Sequence, residues 1–90
     1  MNVKELARLA ERHQSQVERS LLELLDRLRE IDPEIAARAV YVFDDQTDAA
    51  LWFTKPVITL GGITPLQALA KGKREDVLRV LNEILYGLPG

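Results

Sequence analysis

Hydrophobic residues recur at intervals of three and four along the first third of the chain. Between residues 3 and 31, Leu, Ala, Glu, Arg and Gln dominate and neither Gly nor Pro occurs, so the pattern predicts one continuous helix. The apolar positions form a seam of about four heptads, interrupted by the polar Gln14. The seam consists of Val3, Ala7, Ala10, Val17, Leu21, Leu24, Leu28 and Ile31. Such seams are typical of paired helices, and we expect a homodimer whose central contacts are Val17, Leu21, Leu24 and Leu28.

The same segment has an alternative interpretation as a DNA-binding helix-turn-helix. Leu6, Ala7, Ala10 and Val17 have spacings that this unit commonly uses to pack its two helices. However, Glu11 stands where the turn favours Gly, and the segment's charge is balanced rather than basic. A long dimerising or packing helix is therefore the favoured interpretation. If residues 3–20 did read operator DNA, the contacts would be Arg8, Arg12, Gln14, Gln16 and Arg19.

The first helix is expected to end where Asp32-Pro33-Glu34 begins a second one. Asp can cap free amides, Pro is preset for the first helical turn, and Glu is favoured near the positive end of the helix dipole. The second helix carries a wide apolar face and is predicted to end at Asp44-Asp45-Gln46. Its apolar face comprises Ile35, Ala36, Ala39, Val40, Val42 and Phe43.

A short third helix is predicted to contain the only Trp of the chain. Asp45 or Thr47 would cap it, and Pro56 would stop it, because the residue before a proline is disfavoured in helical geometry. Trp52 lies between Leu51 and Phe53 on the apolar face, which predicts a buried core residue rather than a ligand contact.

The next stretch concentrates the residues with special backbone geometry. Residues 57–60 are predicted to be extended, and Gly61-Gly62 to form a sharp turn with positive φ. A capping box, Thr64-Pro65-Leu66-Gln67, predicts a fourth helix that ends at Gly72. Its inward residues would be Leu66, Leu69 and Ala70.

A last helix is predicted from about Lys73 to Tyr86, ending at Gly87. It would bury Val77, Leu78, Leu81, Ile84 and Leu85. The predicted fold class is therefore all-α, with a long N-terminal helical arm (residues 1–31) and a compact bundle of about four short helices (residues 32–90).

Composition and charge limit the classes of binding partner that we expect for this chain. The chain has 90 residues, no Cys and a net charge of −2 from 12 basic and 14 acidic side chains. Mixed charge does not form the basic stripe of a nucleic-acid surface. The polar N-terminus and the lack of a long apolar run lead us to expect a soluble, cytoplasmic protein without membrane contact.

No catalytic or cofactor-binding constellation is apparent. The only His, His13, has no nucleophile pattern near it, and Gly72-Lys73 lacks the upstream Gly of a phosphate-binding loop. Asp44, Asp45 and Asp48 lack a calcium-loop pattern and are better explained as helix caps. We therefore expect no metal, no cofactor and no enzymatic activity.

Residues 52–87 carry a spaced set of Trp, Pro, Gly and Leu that resembles the toxin-binding domain of the Xre/MbcA/ParS antitoxin family. The pattern reads W-x(3)-P-x(3)-L-G-G-x(2)-P-x(3)-L-x(2)-G-x(4)-V-x(3)-L-x(2)-I-x(2)-G, and the similarity covers roughly residues 33–88. The positions that mark it and fix its geometry are Trp52, Pro56, Gly61, Gly62, Pro65 and Gly72, with Leu60 and Gly87.

The resemblance implies an antitoxin that silences a RES-domain toxin, an enzyme that consumes NAD or uses it for ADP-ribosylation. The family's C-terminal end lies nearest the toxin's active site, which implies toxin contacts at Arg74, Arg79, Asn82, Glu83, Tyr86, Gly87, Leu88 and Pro89. Many members also carry an N-terminal Xre-type DNA-binding domain. About 31 residues precede the matching region here, too few for that domain, so the resemblance does not imply operator binding by this chain. The alternatives to an antitoxin are a small DNA-binding regulator that uses residues 3–20 and an orphan assembly domain.

Overall fold

The computed structural model describes residues 2–87. This part of the chain contains five α-helices in the predicted order. They are α1 (Val3–Ile31), α2 (Pro33–Phe43), α3 (Gln46–Trp52), α4 (Pro65–Ala70) and α5 (Arg74–Tyr86). A long N-terminal helix followed by four shorter ones confirms the predicted all-α fold class.

The first helix is continuous over its predicted range. The Asn2 side chain accepts a hydrogen bond from the Glu5 backbone N–H (2.9 Å), and at the other end the Asp32 N–H donates to the Leu28 carbonyl (2.7 Å). No turn interrupts the helix, because this segment contains neither of the residues, Gly or Pro, that would break it. The helix-turn-helix interpretation of residues 3–20 is therefore wrong.

The two halves of α1 have different environments. Its C-terminal half packs on α2 and α3, and Leu25 and Leu28 lie in the hydrophobic core, 0% and 5% exposed. By contrast, every residue from 3 to 20 is exposed. Leu28 is thus buried within a single chain and needs no second copy to cover it. Ile31, which was predicted to continue the seam, is 81% exposed. The first half of α1 projects as an arm from the remaining helices, within an overall length of 49 Å.

Two aspartates position the second and third helices. The Asp32 carboxylate accepts from the Ile35 N–H (3.2 Å) at the start of α2, where Pro33 occupies the first turn as predicted. Asp45, rather than Thr47, caps α3 by accepting from the Asp48 N–H (2.8 Å). Both caps leave the following alanines, Ala36 and Ala49, fully buried.

Phe53, not Trp52, is the largest fully buried side chain. Trp52 is half-buried and packs against the core cluster, with ring centroids 5.8 Å from Phe43 and 5.2 Å from Phe53. The core prediction for Trp52 is thus confirmed only in part, because adjacent positions of a helix point in different directions and Phe53 has the inward one.

The connection after Pro56 differs from the predicted extended segment. Val57 alone is extended (φ −120°, ψ 122°) and forms an isolated bridge with Ile63, whereas residues Ile58–Leu60 form one 3-10 turn. The Leu60 N–H bonds back to the Val57 carbonyl (3.0 Å), because no neighbouring strand offers a partner. Gly61 and Gly62 both have φ of 81°, which confirms the predicted turn.

The capping box of α4 is present as predicted. The Gln67 N–H donates to the Thr64 hydroxyl (3.1 Å), and the Gln67 side chain accepts from the Thr64 N–H (2.9 Å). Pro65 and Ala68 are buried, whereas Leu66 and Leu69 are half-buried. Ala70, predicted to face inward, is exposed because this helix is only six residues long and ends there.

The last helix buries a narrower stripe than predicted. Val77, Val80 and Leu81 are buried, while Leu78 and Leu85 are half-buried. Ile84, predicted to be buried, is 42% exposed, since the inward stripe passes through Val80 instead. The helix packs on α2 and α4 and ends at Gly87 as predicted.

Candidate functional site: the groove between α2 and α5

Helices α2 and α5 lie side by side and run in the same direction. Their N-terminal ends meet where Arg74 contacts Asp32 and Glu34, and their C-terminal ends meet where Tyr41 and Tyr86 line the same depression. An open groove therefore follows both helices from a charged end to an aromatic end. We call it the α2–α5 groove.

The charged end is held by Arg74. Its Nε donates to Asp32 Oδ2 (2.7 Å) and one Nη to Asp32 Oδ1 (3.2 Å), and the same Nη donates to Glu34. The hydrogen bond from Arg74 holds the pKa of Asp32 below its usual range, and these carboxylates raise the pKa of Arg74. Arg74, predicted as a toxin contact, is thus bound within the chain and joins α5 to the start of α2.

We expect Arg74→Gln to lower the free energy of unfolding at pH 7. The Asp32 carboxylate has a lowered pKa in the folded chain, so its contribution is present above about pH 4 and is lost as the pH falls through that lowered pKa. Urea unfolding of both proteins at pH 7 and in more acidic buffer measures this difference. Arg27→Gln is the matched control, because Arg27 pairs within one helix and its side chain is 73% exposed. A difference between wild type and Arg74→Gln that stays constant with pH would contradict this role.

The middle of the groove carries three predicted site residues on one wall. Arg79 lies 3.5 Å from both Asp76 and Glu83, and Asn82 and Glu83 line the groove opposite Arg38. Among residues 2–87, Asn82 Oδ1 and Glu83 Oε2 are buried without a hydrogen-bond partner. The structure therefore brings Arg79, Asn82 and Glu83, three residues that were predicted as toxin contacts, to one surface.

The aromatic end contains the most exposed large hydrophobic side chains of the groove. Tyr41 is 69% and Tyr86 68% exposed, and Ala37 and Leu85 lie between them. Arg38 is half-buried beside them and makes no hydrogen bond or ion pair with any residue in the described range. This end offers two aromatic rings and one free guanidinium group.

The contribution of α2 to the groove was not predicted from the sequence. Ala37 and Arg38 each precede Tyr41 by about one helical turn, and all three face α5, but the resemblance indicated only the C-terminal helix. Arg38 and Tyr41 do carry a signal, because after Pro33 and Glu34 they alone interrupt a helix that otherwise contains Ile, Ala, Val and Phe. A polar pair at i and i+3 on such a helix indicates its outward face.

The other predicted positions lie elsewhere. Gly87 is the residue at which α5 ends, with φ of 65°, while Leu88 and Pro89 lie outside the described residues. The family-marking positions from Trp52 to Gly72 belong to α3, α4 and the turns that follow them. None of them lines the groove.

A separate shallow groove runs along the arm. It is lined by His13, Gln16, Val17, Ser20, Leu21 and Leu24. Val17 is 42% exposed, and Leu21 and Leu24 are half-buried against the chain's own core. Three of the four predicted dimer contacts therefore share one partly open surface.

Within residues 2–87 no group of three or more acidic or His side chains could hold a metal ion. In the same range, every helix is too short or too polar to cross a membrane.

Comparison with known families identifies the groove-forming region. The model of the antitoxin Xre/MbcA/ParS C-terminal toxin-binding domain matches residues 38–87, which is more than half of the chain. Searches of curated proteins and of solved structures gave no significant match. The matched region begins at Arg38, includes the rest of α2 and continues through α5 to Gly87. On this evidence the chain belongs to the Xre/MbcA/ParS antitoxin family and contains its C-terminal toxin-binding domain.

Proposed function

We propose that this chain neutralises a RES-domain toxin, an enzyme that consumes NAD or transfers its ADP-ribose, by covering the toxin's active-site cleft. The family match over residues 38–87 carries the proposal, because that region contains the α5 wall of the α2–α5 groove and Arg38 and Tyr41 of the α2 wall. The surface would comprise Arg79, Asn82, Glu83 and Tyr86, followed by Gly87, Leu88 and Pro89. The groove ends at Tyr86 and Gly87, and residues 88–90 follow directly in the chain. A toxin bound in the groove would therefore be close to this C-terminal tail.

Inhibition in this proposal works by occupancy. The C-terminal end fills the cleft, so substrate cannot enter, and the chain itself supplies no catalytic group and binds no cofactor. Tyr86 would be a main anchor, since partly exposed aromatic side chains contribute a large share of binding energy when a partner desolvates them. The complex would form in the cytoplasm, where NAD is available to the toxin.

We further propose that two copies pair through their arms. The apolar stripe around Val17 has no cover within the described residues, and a second copy of the same helix is complementary to it. A dimer would present two inhibitory ends, so a complex of two antitoxins with two toxins, or a larger one, is expected. Operator binding by this chain is not part of the proposal.

Truncation after Tyr86 tests the role of the C-terminal end. We expect the shortened chain to lose most of its ability to neutralise the co-expressed product of the neighbouring toxin gene, because the segment that enters the cleft is missing. Growth rescue in cells and co-purification with the toxin measure neutralisation and binding separately.

The matched control is a chain extended by a short polar tag at its N-terminus, far from the groove. Its neutralisation should equal that of the wild type. Full neutralisation by the truncated chain would show that tail insertion is wrong, whereas failure of the intact chain to bind the toxin would overturn the proposed function itself.

A further inference from the structure

The aromatic end of the α2–α5 groove has a charge that the chain leaves unpaired. Glu34 is bonded to Arg74, and Glu83 Oε1 lies 3.5 Å from an Arg79 Nη, although the other carboxylate oxygen of Glu83 has no hydrogen-bond partner among residues 2–87. Arg38 lies between these pairs and has no ionic or hydrogen-bonded partner among residues 2–87. A half-buried guanidinium group without a partner leaves five directed donors free for an incoming acceptor.

The side chains around Arg38 are those that interfaces use as anchors. Tyr41 and Tyr86 stand on opposite walls, each more than two thirds exposed, with Ala37 and Leu85 as an apolar floor. Tyr and Arg are enriched among the residues that dominate binding energy, and their rings and stems gain most when a partner excludes water. The combination resembles a binding surface more than a solvated helix face.

We propose that Arg38 and Tyr41 extend the toxin-binding surface from α5 onto α2, and that they receive a toxin segment carrying a carboxylate beside an apolar side chain. The apolar side chain lies between the two tyrosines, and the carboxylate accepts from the Arg38 guanidinium. This inference rests on the proposed function, since it assigns the toxin as the occupant. It adds α2 residues and a charge requirement that the C-terminal tail alone does not supply.

The test measures binding of purified chain variants to the immobilised product of the neighbouring toxin gene. We expect Arg38→Glu and Tyr41→Ala each to raise the dissociation constant about tenfold or more. Arg38→Gln should have a smaller effect than Arg38→Glu, because it removes the attraction without adding repulsion. Added salt should slow association of the wild type more than of Arg38→Gln, since a charge pair is screened.

Two controls separate recognition from folding. Lys55→Glu reverses the charge of an exposed residue outside the groove, and Tyr41→Phe keeps the aromatic ring; both should bind like the wild type. The thermal midpoints of the Arg38 variants should equal that of the wild type, because Arg38 bonds to nothing in the described chain.

Three results would overturn the proposal in distinguishable ways. If wild type binds the toxin and Arg38→Glu and Tyr41→Ala bind equally well, α2 is not part of the surface and the proposed function stands. If these variants instead lower the mass of the free chain, the groove joins two copies of the chain. If the wild type does not bind the toxin, the proposed function and this inference fail together.

Discussion

Replacing Phe53 with Ala is expected to lower the free energy of unfolding by about 3–5 kcal/mol. Phe53 is fully buried at the end of α3 and belongs to a single core cluster that also contains side chains of α1, α2 and α4. Removing the ring leaves a cavity that these helices can fill only partly. Since small domains have total stabilities of about 5–15 kcal/mol, this loss would leave the variant marginal at best. Urea unfolding followed by the circular dichroism of the helices measures it.

Tyr41→Ala is the matched control for this prediction. It removes an aromatic ring of similar size from a position that is 69% exposed, so the free energy of unfolding should change by no more than about 0.5 kcal/mol. Equal losses in the two variants would show that Phe53 is not the anchor of the core.

Replacing Val17 with Glu is expected to convert the proposed dimer into monomers. Val17 lies in the middle of the arm's apolar groove, and a carboxylate there would be desolvated against the second copy. Because Val17 is 42% exposed and lies outside the core cluster, the bundle should remain folded. Sedimentation equilibrium should give half the wild-type mass, with unchanged helical circular dichroism.

Ser15→Glu is the corresponding control. Ser15 is two positions away from Val17, so it lies on the opposite face of the helix, and its substitution should leave the mass unchanged. An unchanged mass for Val17→Glu would contradict pairing through the arm. Leu24 is less suitable for this test than the heptad pattern indicates, because it also packs against the chain's own core.

Local signals in the sequence were sufficient for most helix boundaries. Asp32-Pro33 and the Thr64 capping box act through atoms only three residues apart, so their effect does not depend on the rest of the fold. The heptad seam was a weaker guide to burial. Leu28 satisfied that pattern through its own bundle, whereas Ile31, in the same seam, stayed 81% exposed.

Tertiary arrangement accounts for what the sequence did not predict. The toxin contact predicted for Arg74 stays a prediction, but its ion pair with Asp32 was not predicted, because Asp32 is 42 residues earlier in the chain and only the fold brings them together. For the same reason, Arg38 and Tyr41 escaped notice, because the groove exists only when α2 and α5 lie parallel. The choice of Phe53 over Trp52, and of Val80 over Ile84, likewise depends on the exact rotation of each helix in the bundle.

The continuity of α1 has a geometric consequence for the proposed assembly. The helix passes from the exposed arm into the core without a break, so the arm has no hinge and its length is fixed. Ile31 comes fourteen positions after Val17, a length of about 21 Å along the helix axis. In a dimer paired at Val17, this distance helps to fix the spacing of the two grooves. Two bound toxins would then have one defined separation, and inserting residues into α1 would alter both that separation and their relative rotation.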